Sequence, residues 1–168
     1  NEGQPYTVAG VKLEGEYLGR LDEFKSLVRV KPGQAYRGED VIATTKAFTD
    51  RFGTFGFAFA RVESRPEINR QTGQVVVVIA ANPLQRAYVR RIELSGNTRT
   101  RDEVIRREFR QLESSWYDAN RIKLSTDRLK RLDYFKDVNV ETVEVPGQPD
   151  LIDLLVTVEE RPTGNLMV

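Results

Sequence analysis

The chain contains no cysteine and no histidine. Thiol nucleophiles, disulfides, zinc sites built on those ligands and Ser-His-Asp relays are therefore excluded within it. Long hydrophobic runs are lacking as well. The longest, Val75 to Ala81, has the length of a strand, far short of the ~18 apolar residues a membrane helix needs. Nor does one sign of charge prevail: 26 Lys and Arg stand against 25 acidic residues, for a net +1. That balance removes any general electrostatic pull toward nucleic acid or anionic lipid. The first ten residues have neither the basic start nor the apolar stretch of a signal peptide, so an exported protein would carry this segment in its interior. Both ends, Asn1 and the apolar Leu166-Met167-Val168, are expected to be cuts in a longer chain. The absence of cysteine fits a periplasmic or a cytosolic chain equally.

What is present is a globular balance of 39% hydrophobic and 30% charged residues over 168 positions, enough for one ordinary domain or two small ones. Self-similarity favours two. Val8-Ala9-Gly10-Val11-Lys12-Leu13-Glu14-Gly15 resembles Val89-Arg90-Arg91-Ile92-Glu93-Leu94-Ser95-Gly96, and Thr49-Asp50-Arg51-Phe52 resembles Thr126-Asp127-Arg128-Leu129. Two matches in the same order at nearly the same separation point to tandem modules of roughly 80 residues.

Each module reads as strand, helix, helix, strand, strand. In the first, Val8 to Leu13 is a strand and Leu21, Phe24, Leu27 and Val28 line a short helix stopped by Lys31-Pro32-Gly33. Val41, Thr45, Phe48 and Phe52 line a second helix, and strands follow at Phe57–Val62 and Val75–Ala80 around a turn at Asn69–Gly73. In the second, residues 88–95 form a strand, and Thr100 with Glu103 suggests a capping box opening a helix whose apolar face is Ile105, Phe109 and Leu112. Asp118 caps the next helix, with Ile122, Leu129 and Leu132 inward. Strands at Val138–Val145 and Leu151–Val158 then flank the turn Pro146-Gly147-Gln148-Pro149. The expected fold class is α+β: two tandem βααββ modules, each a three-stranded mixed sheet packed under two helices. The continuous apolar runs place the third strand of each module in the sheet centre, and the alternating second strand reads as an edge. The expected domains are 1–83 and 84–164, with Pro83 at the joint.

The run Tyr88-Val89-Arg90-Arg91-Ile92-Glu93-Leu94-Ser95-Gly96-Asn97-Thr98 resembles the opening strand of a POTRA (polypeptide-transport-associated) domain, as do Arg106-Arg107-Glu108-Phe109 and Arg131 to Val138. Val158-Glu159-Glu160-Arg161-Pro162-Thr163-Gly164 looks like the junction between the last such domain and the barrel in BamA-type outer-membrane protein assembly factors of Gram-negative bacteria. The resemblance covers essentially the whole chain, most strongly 84–164, and the modules look like the fourth and fifth of the family's five. It implies βααββ modules at the periplasmic face of the outer membrane, with 165–168 beginning a barrel and the membrane reached only through it. It implies a BamD-type lipoprotein and other assembly-machinery lipoproteins as partners, and unfolded outer-membrane proteins as substrates. The role it implies is scaffolding and chaperone-like holding, with no cofactor. A POTRA pair from a related exporter or division protein is the alternative of the same shape.

Candidate sites follow from two features. Arg106, Arg110 and Glu113 fall on one side of the expected helix, away from the apolar stripe. By itself this is a solvated face with weak i, i+3 pairs; the resemblance makes it the partner-binding surface. The second strand offers a main-chain edge for pairing with an extended peptide, through Val138, Val140, Thr142 and Glu144. Trp116 and Tyr117 are expected to cap the core. Gly53-Thr54-Phe55-Gly56 fits the GxxG of KH RNA-binding modules, but it follows the second helix where a KH loop lies between helices. It reads instead as a helix end and turn, and no nucleic-acid partner is expected. No carboxylate pair is spaced for acid–base work and no phosphate-binding glycine motif occurs, so an enzyme is not expected.

Overall fold

The computed structural model describes residues 5–162; the expected barrel start at 165–168 lies outside the described residues. By internal packing the chain divides into two units, Asn1–Phe52 with Phe59–Gln85, and Gly53–Ala58 with Arg86–Val168.

The first unit runs β1 (Thr7–Gly15), α1 (Leu21–Lys25), α2 (Gly38–Thr54), β2 (Arg61–Asn69) and β3 (Gln74–Asn82). Its sheet order is β1-β3-β2, with β3 parallel to β1 and antiparallel to β2. The central place of β3 explains its composition, because Val75, Val77, Val78 and Ile79 are all buried. Under the helices, Tyr17, Phe24, Phe48 and Phe52 form an aromatic cluster with ring centroids 4.5–6.0 Å apart. The Tyr17 hydroxyl donates to the Ile79 carbonyl at 2.7 Å. Burial pushes its phenol pKa up to about 12. The expected strand from Phe57 does not form. Gly56 takes φ +97° and Ala58 N–H turns back to the Gly56 carbonyl, so Phe57 and Phe59 alternate within a turn and β2 begins at Arg61.

The second unit runs β4 (Tyr88–Ser95), α3 (Asp102–Arg106), β5 (Ser115–Trp116), α4 (Ala119–Arg131), β6 (Phe135–Val145) and β7 (Gln148–Glu160). Here the order is β5-β4-β7-β6, so the expected three strands are joined by a two-residue fourth. β7 is parallel to β4 and antiparallel to β6. Ile105, Leu129, Ile152 and Leu154 are fully buried and make an aliphatic core.

Two repeated devices fix both units. Gly15 and Gly96 end the first strand with φ +92° and +88°, and a Cβ there would lie 2.1 Å and 2.0 Å from the carbonyl oxygens of Ala81 and Val158. Only glycine allows the two backbones to approach so closely. Second, the first helix of each unit stops early. The Thr44 hydroxyl, fully buried on α2, accepts the Arg29 N–H at 3.0 Å, and the Ser125 hydroxyl on α4 accepts the Arg110 N–H at 2.7 Å. In a longer helix that Arg110 N–H would have bonded the Arg106 carbonyl.

That early stop corrects the helix expected through Leu112. Phe109 is buried, but Leu112 is 58% exposed and lies beyond the helix. The expected Thr100–Glu103 capping box is also absent. Arg101 occupies the N-cap of α3, and the Thr100 hydroxyl donates to Glu160 instead. Asp118 does cap α4, accepting from the N–H groups of Asn120 and Arg121.

Candidate interaction site

β4 has one side against β7; its other side carries β5 at one end, and two residues of the expected charge cluster, Arg106 and Glu113, meet it further along. Arg106, the last residue of α3, donates from Nη2 to the Ile92 carbonyl at 2.8 Å. Glu113 accepts the Ile92 N–H on Oε2, also at 2.8 Å. The two side chains thus close on one peptide residue of the strand, with donor and acceptor arranged as a neighbouring strand would arrange them. Charge-assisted bonds of this kind are among the stronger ones. Further along, β5 pairs with Tyr88 and Val89, and Ser114 N–H reaches the Val89 carbonyl at 2.7 Å.

Arg110 does not join them. Its Nη1 donates to the Arg107 carbonyl at 2.9 Å and the Phe109 carbonyl at 3.3 Å, wrapping the end of the α3 turn. The expected shared helix face is therefore corrected: only Arg106 is helical, and Arg110 and Glu113 lie on the loop that follows. All three side chains are exposed.

How that loop is held was not foreseen from the spacing of its residues. Gln111 is buried and donates from Nε2 to the Leu112 carbonyl (3.2 Å), the Ser115 hydroxyl (3.0 Å) and the Trp116 carbonyl (2.9 Å). Its Oε1 accepts the Asp118 N–H at 2.8 Å. On the expected helix Gln111 falls off the Ile105/Phe109/Leu112 face, so its burial carries no signal in the spacing. Ser114 holds φ 60°, unusual for a residue with a side chain. Trp116, expected in the core, is 39% exposed. It stacks on Tyr88, itself 36% exposed, at 3.7 Å, with the Arg86 guanidinium carbon 3.9 Å from its ring centroid.

The second candidate, β6, is an outer strand of its sheet, as is β2 in the first unit. Val138, Val140, Thr142 and Glu144 sit opposite Val158, Val156, Leu154 and Ile152 of β7. Val138 is buried, Val140 and Thr142 are half-buried, and Glu144 is exposed beside a bulge. The valines therefore serve the core while their backbone forms the edge. β2 is a less regular edge, because Pro66 has no N–H to offer.

A third cluster closes the end of β7. The Glu160 side chain is 7% exposed and accepts from the Thr100 hydroxyl (2.7 Å), the Thr98 hydroxyl (2.9 Å) and the Arg99 N–H (3.1 Å). Hydrogen bonding from Thr100 above all holds its carboxyl at about 2, well below the ordinary 4.5. Beside it, Arg161 pairs with Asp133 at 3.0 Å and its N–H donates to the Tyr134 carbonyl. Among the described residues, no acidic cluster of three or more is arranged to hold a metal ion.

The family described as surface antigen variable number repeat, POTRA, matches residues 6–82 and 87–161. An outer membrane protein assembly factor BamA of Neisseria meningitidis serogroup B is 37% identical over 167 residues, covering 99% of this chain and 21% of the relative. A BamA of Nitratidesulfovibrio vulgaris is 29% identical over 99% of the chain. The chain thus spans about a fifth of the length of these relatives. Among solved structures, Haemophilus influenzae BamA POTRA3-5 superposes with a TM-score of 0.89 at 26% identity, covering 95% of this chain and 63% of that one. Haemophilus ducreyi BamA lacking POTRA domains 1-3 gives 0.77 at 27% identity, covering 95% and 30%.

Proposed function

The chain belongs to the POTRA family, as a pair of BamA-type modules, and from that premise we propose that it is a periplasmic docking scaffold of the outer-membrane protein assembly machinery. In this reading it binds a BamD-type lipoprotein, and other assembly lipoproteins, through the region of Arg106, Arg110 and Glu113. It transiently holds unfolded outer-membrane proteins along β6 at Val138, Val140, Thr142 and Glu144. The observation that carries the reading is the exposed rim of the second unit, where Arg106 and Glu113 border the outer side of β4, Arg110 lies beside them at the end of the α3 turn, and β6 stays an outer strand. An outer strand reads backbone rather than side chains, which suits substrates of many sequences.

The test has two arms. A BamD-type lipoprotein freed of its lipid should bind the immobilised chain saturably at physiological salt. Barrel-strand peptides at millimolar concentration should shift the β6 backbone amides in NMR spectra. Absence of saturable binding overturns the docking role, and shifts confined to helices, or none, overturn strand pairing at β6.

A further inference from the structure

We propose that the cavity between segment 29–37 and the start of α2, in the first unit, binds phosphate or a phosphate monoester through Arg29, Lys31 and Arg37. The site is independent of the docking role above, which uses residues of the second unit.

The cavity has a volume of about 510 Å³ and is lined by Arg29, Lys31, Gln34, Ala35, Arg37 and Asp40. Three positive groups stand against one negative, which leaves a local +2 in a chain of net +1. Elsewhere in this unit arginines are paired, Arg20 and Arg51 with Glu23 and Arg65 with Glu14. Among the described residues, the side chains of Arg29, Lys31 and Arg37 have no such carboxylate, and Asp40 pairs with none of them. A concave surface lined mainly by one sign of charge focuses its field and concentrates counter-ions. The size of the excess decides the class of ligand. A phosphate monoester carries close to two negative charges and neutralises it, whereas a carboxylate leaves one positive charge over. Guanidinium forks match phosphate oxygens in pairs, with lysine as a point charge beside them. The volume lies in the range of small-ligand sites and leaves room for the group to which a phosphate is esterified.

The backbone that carries these side chains is tied down at each of them. Arg29 N–H donates to the buried Thr44 hydroxyl at 3.0 Å. The Lys31 carbonyl accepts the Gln34 N–H at 3.2 Å, and the Gln34 carbonyl accepts the Val8 N–H of β1 at 2.8 Å. Tyr36 N–H donates to the Tyr6 carbonyl at 2.8 Å, and the Arg37 carbonyl accepts the Asp40 N–H at 3.2 Å. The three cations are thus brought together by the fold, from the end of the first helical stretch, the turn at Gly33 and the approach to α2. With the backbone already ordered, a ligand has only the side-chain ends left to fix.

The test uses the whole chain at constant ionic strength, with backbone amides followed by NMR. Inorganic phosphate and glycerol phosphate should each shift the amides of residues 29–40 saturably, and acetate should not. Arg29→Gln and Arg37→Gln should each weaken binding about tenfold, the loss expected for a charge-assisted bond. Asp40→Asn should tighten binding about two- to fivefold, because a like charge leaves the lining. Sedimentation with phosphatidylcholine vesicles only when they contain phosphatidic acid, weakened by the same two arginine substitutions, assigns the phosphate to a lipid headgroup. Binding of the soluble compounds without sedimentation assigns it to a free phosphate compound, and either result upholds the site. No saturable shift with either phosphate compound, or equal shifts with acetate, overturns it. Wild-type affinity in both arginine variants, or shifts confined to residues outside 29–40, also overturns it.

Discussion

The two units build one topology with different cement. In the first, the outer side of β1 is met by backbone: Val8 N–H donates to the Gln34 carbonyl at 2.8 Å, and Gly33 N–H to the Val8 carbonyl at 2.8 Å. In the second, the outer side of β4 is met by β5 and by the side chains of Arg106 and Glu113. The core differs in the same sense. Val30 is buried next to the Arg29–Thr44 bond, and at the matching place beside Arg110–Ser125 the second unit buries Gln111. The first unit relies on aromatic packing and the second on polar bonds to specific atoms. Packing tolerates a loose loop, whereas a buried amide requires its partners to stay in place. The second unit is accordingly the one whose exposed rim is held by bonds to specific atoms.

The largest effect should come from the aromatic side of this contrast. Phe48→Ala removes a fully buried ring packed edge-on against Tyr17 and Phe24 and should cost about 3–5 kcal/mol. In urea denaturation followed by NMR, the loss should fall on first-unit resonances. An equal loss in the second unit would contradict separate cores and the expected joint near Asn82–Gln85. A smaller effect is expected from Gln111→Val, which gives the second unit the residue of the first. It strips partners from the Asp118 N–H and the Trp116 carbonyl and should cost about 2–3 kcal/mol. An unchanged urea midpoint would show that the amide network is dispensable and the contrast superficial. The smallest effect concerns acid. Glu160 titrates at about 2 in the folded chain against an ordinary 4.5, so its stabilisation is complete above 4.5 and is lost as the pH falls from there toward 2. Glu160→Gln should flatten the acid limb of the second unit's stability curve and leave the first unit's unchanged.

Much of this architecture was legible because it repeats. Gly15 and Gly96 mark the same close approach in each unit, and the apolar runs of β3 and β7 foretold their central places. The length of α3 was not legible. Ile105, Phe109 and Leu112 keep helical spacing, yet the chain leaves the helix because a hydroxyl fifteen positions on takes the Arg110 N–H. Periodicity reports which residues are apolar and is blind to a distant competitor for a backbone donor. The charge cluster was found by that same mistaken helix. Arg106 and Glu113 do come together, but on the peptide of Ile92, a tertiary partner that no spacing within their own segment encodes. Trp116 was misjudged because its exposure depends on β5, too short to leave a pattern.

The Glu160 cluster also has a mechanical meaning. β7 is the longest strand and is bound on both sides, by β4 and β6. A tug on the chain beyond Arg161 would meet the bonds of Arg161 to Asp133 and to the Tyr134 carbonyl first, and then Glu160, the last rung of the β6–β7 ladder opposite Phe135. From Glu160 load would pass into the Thr98–Thr100 loop through its side-chain bonds. The end of the central strand is thereby tied sideways to the loop that follows β4, so that a pull along β7 is shared with a segment outside the sheet.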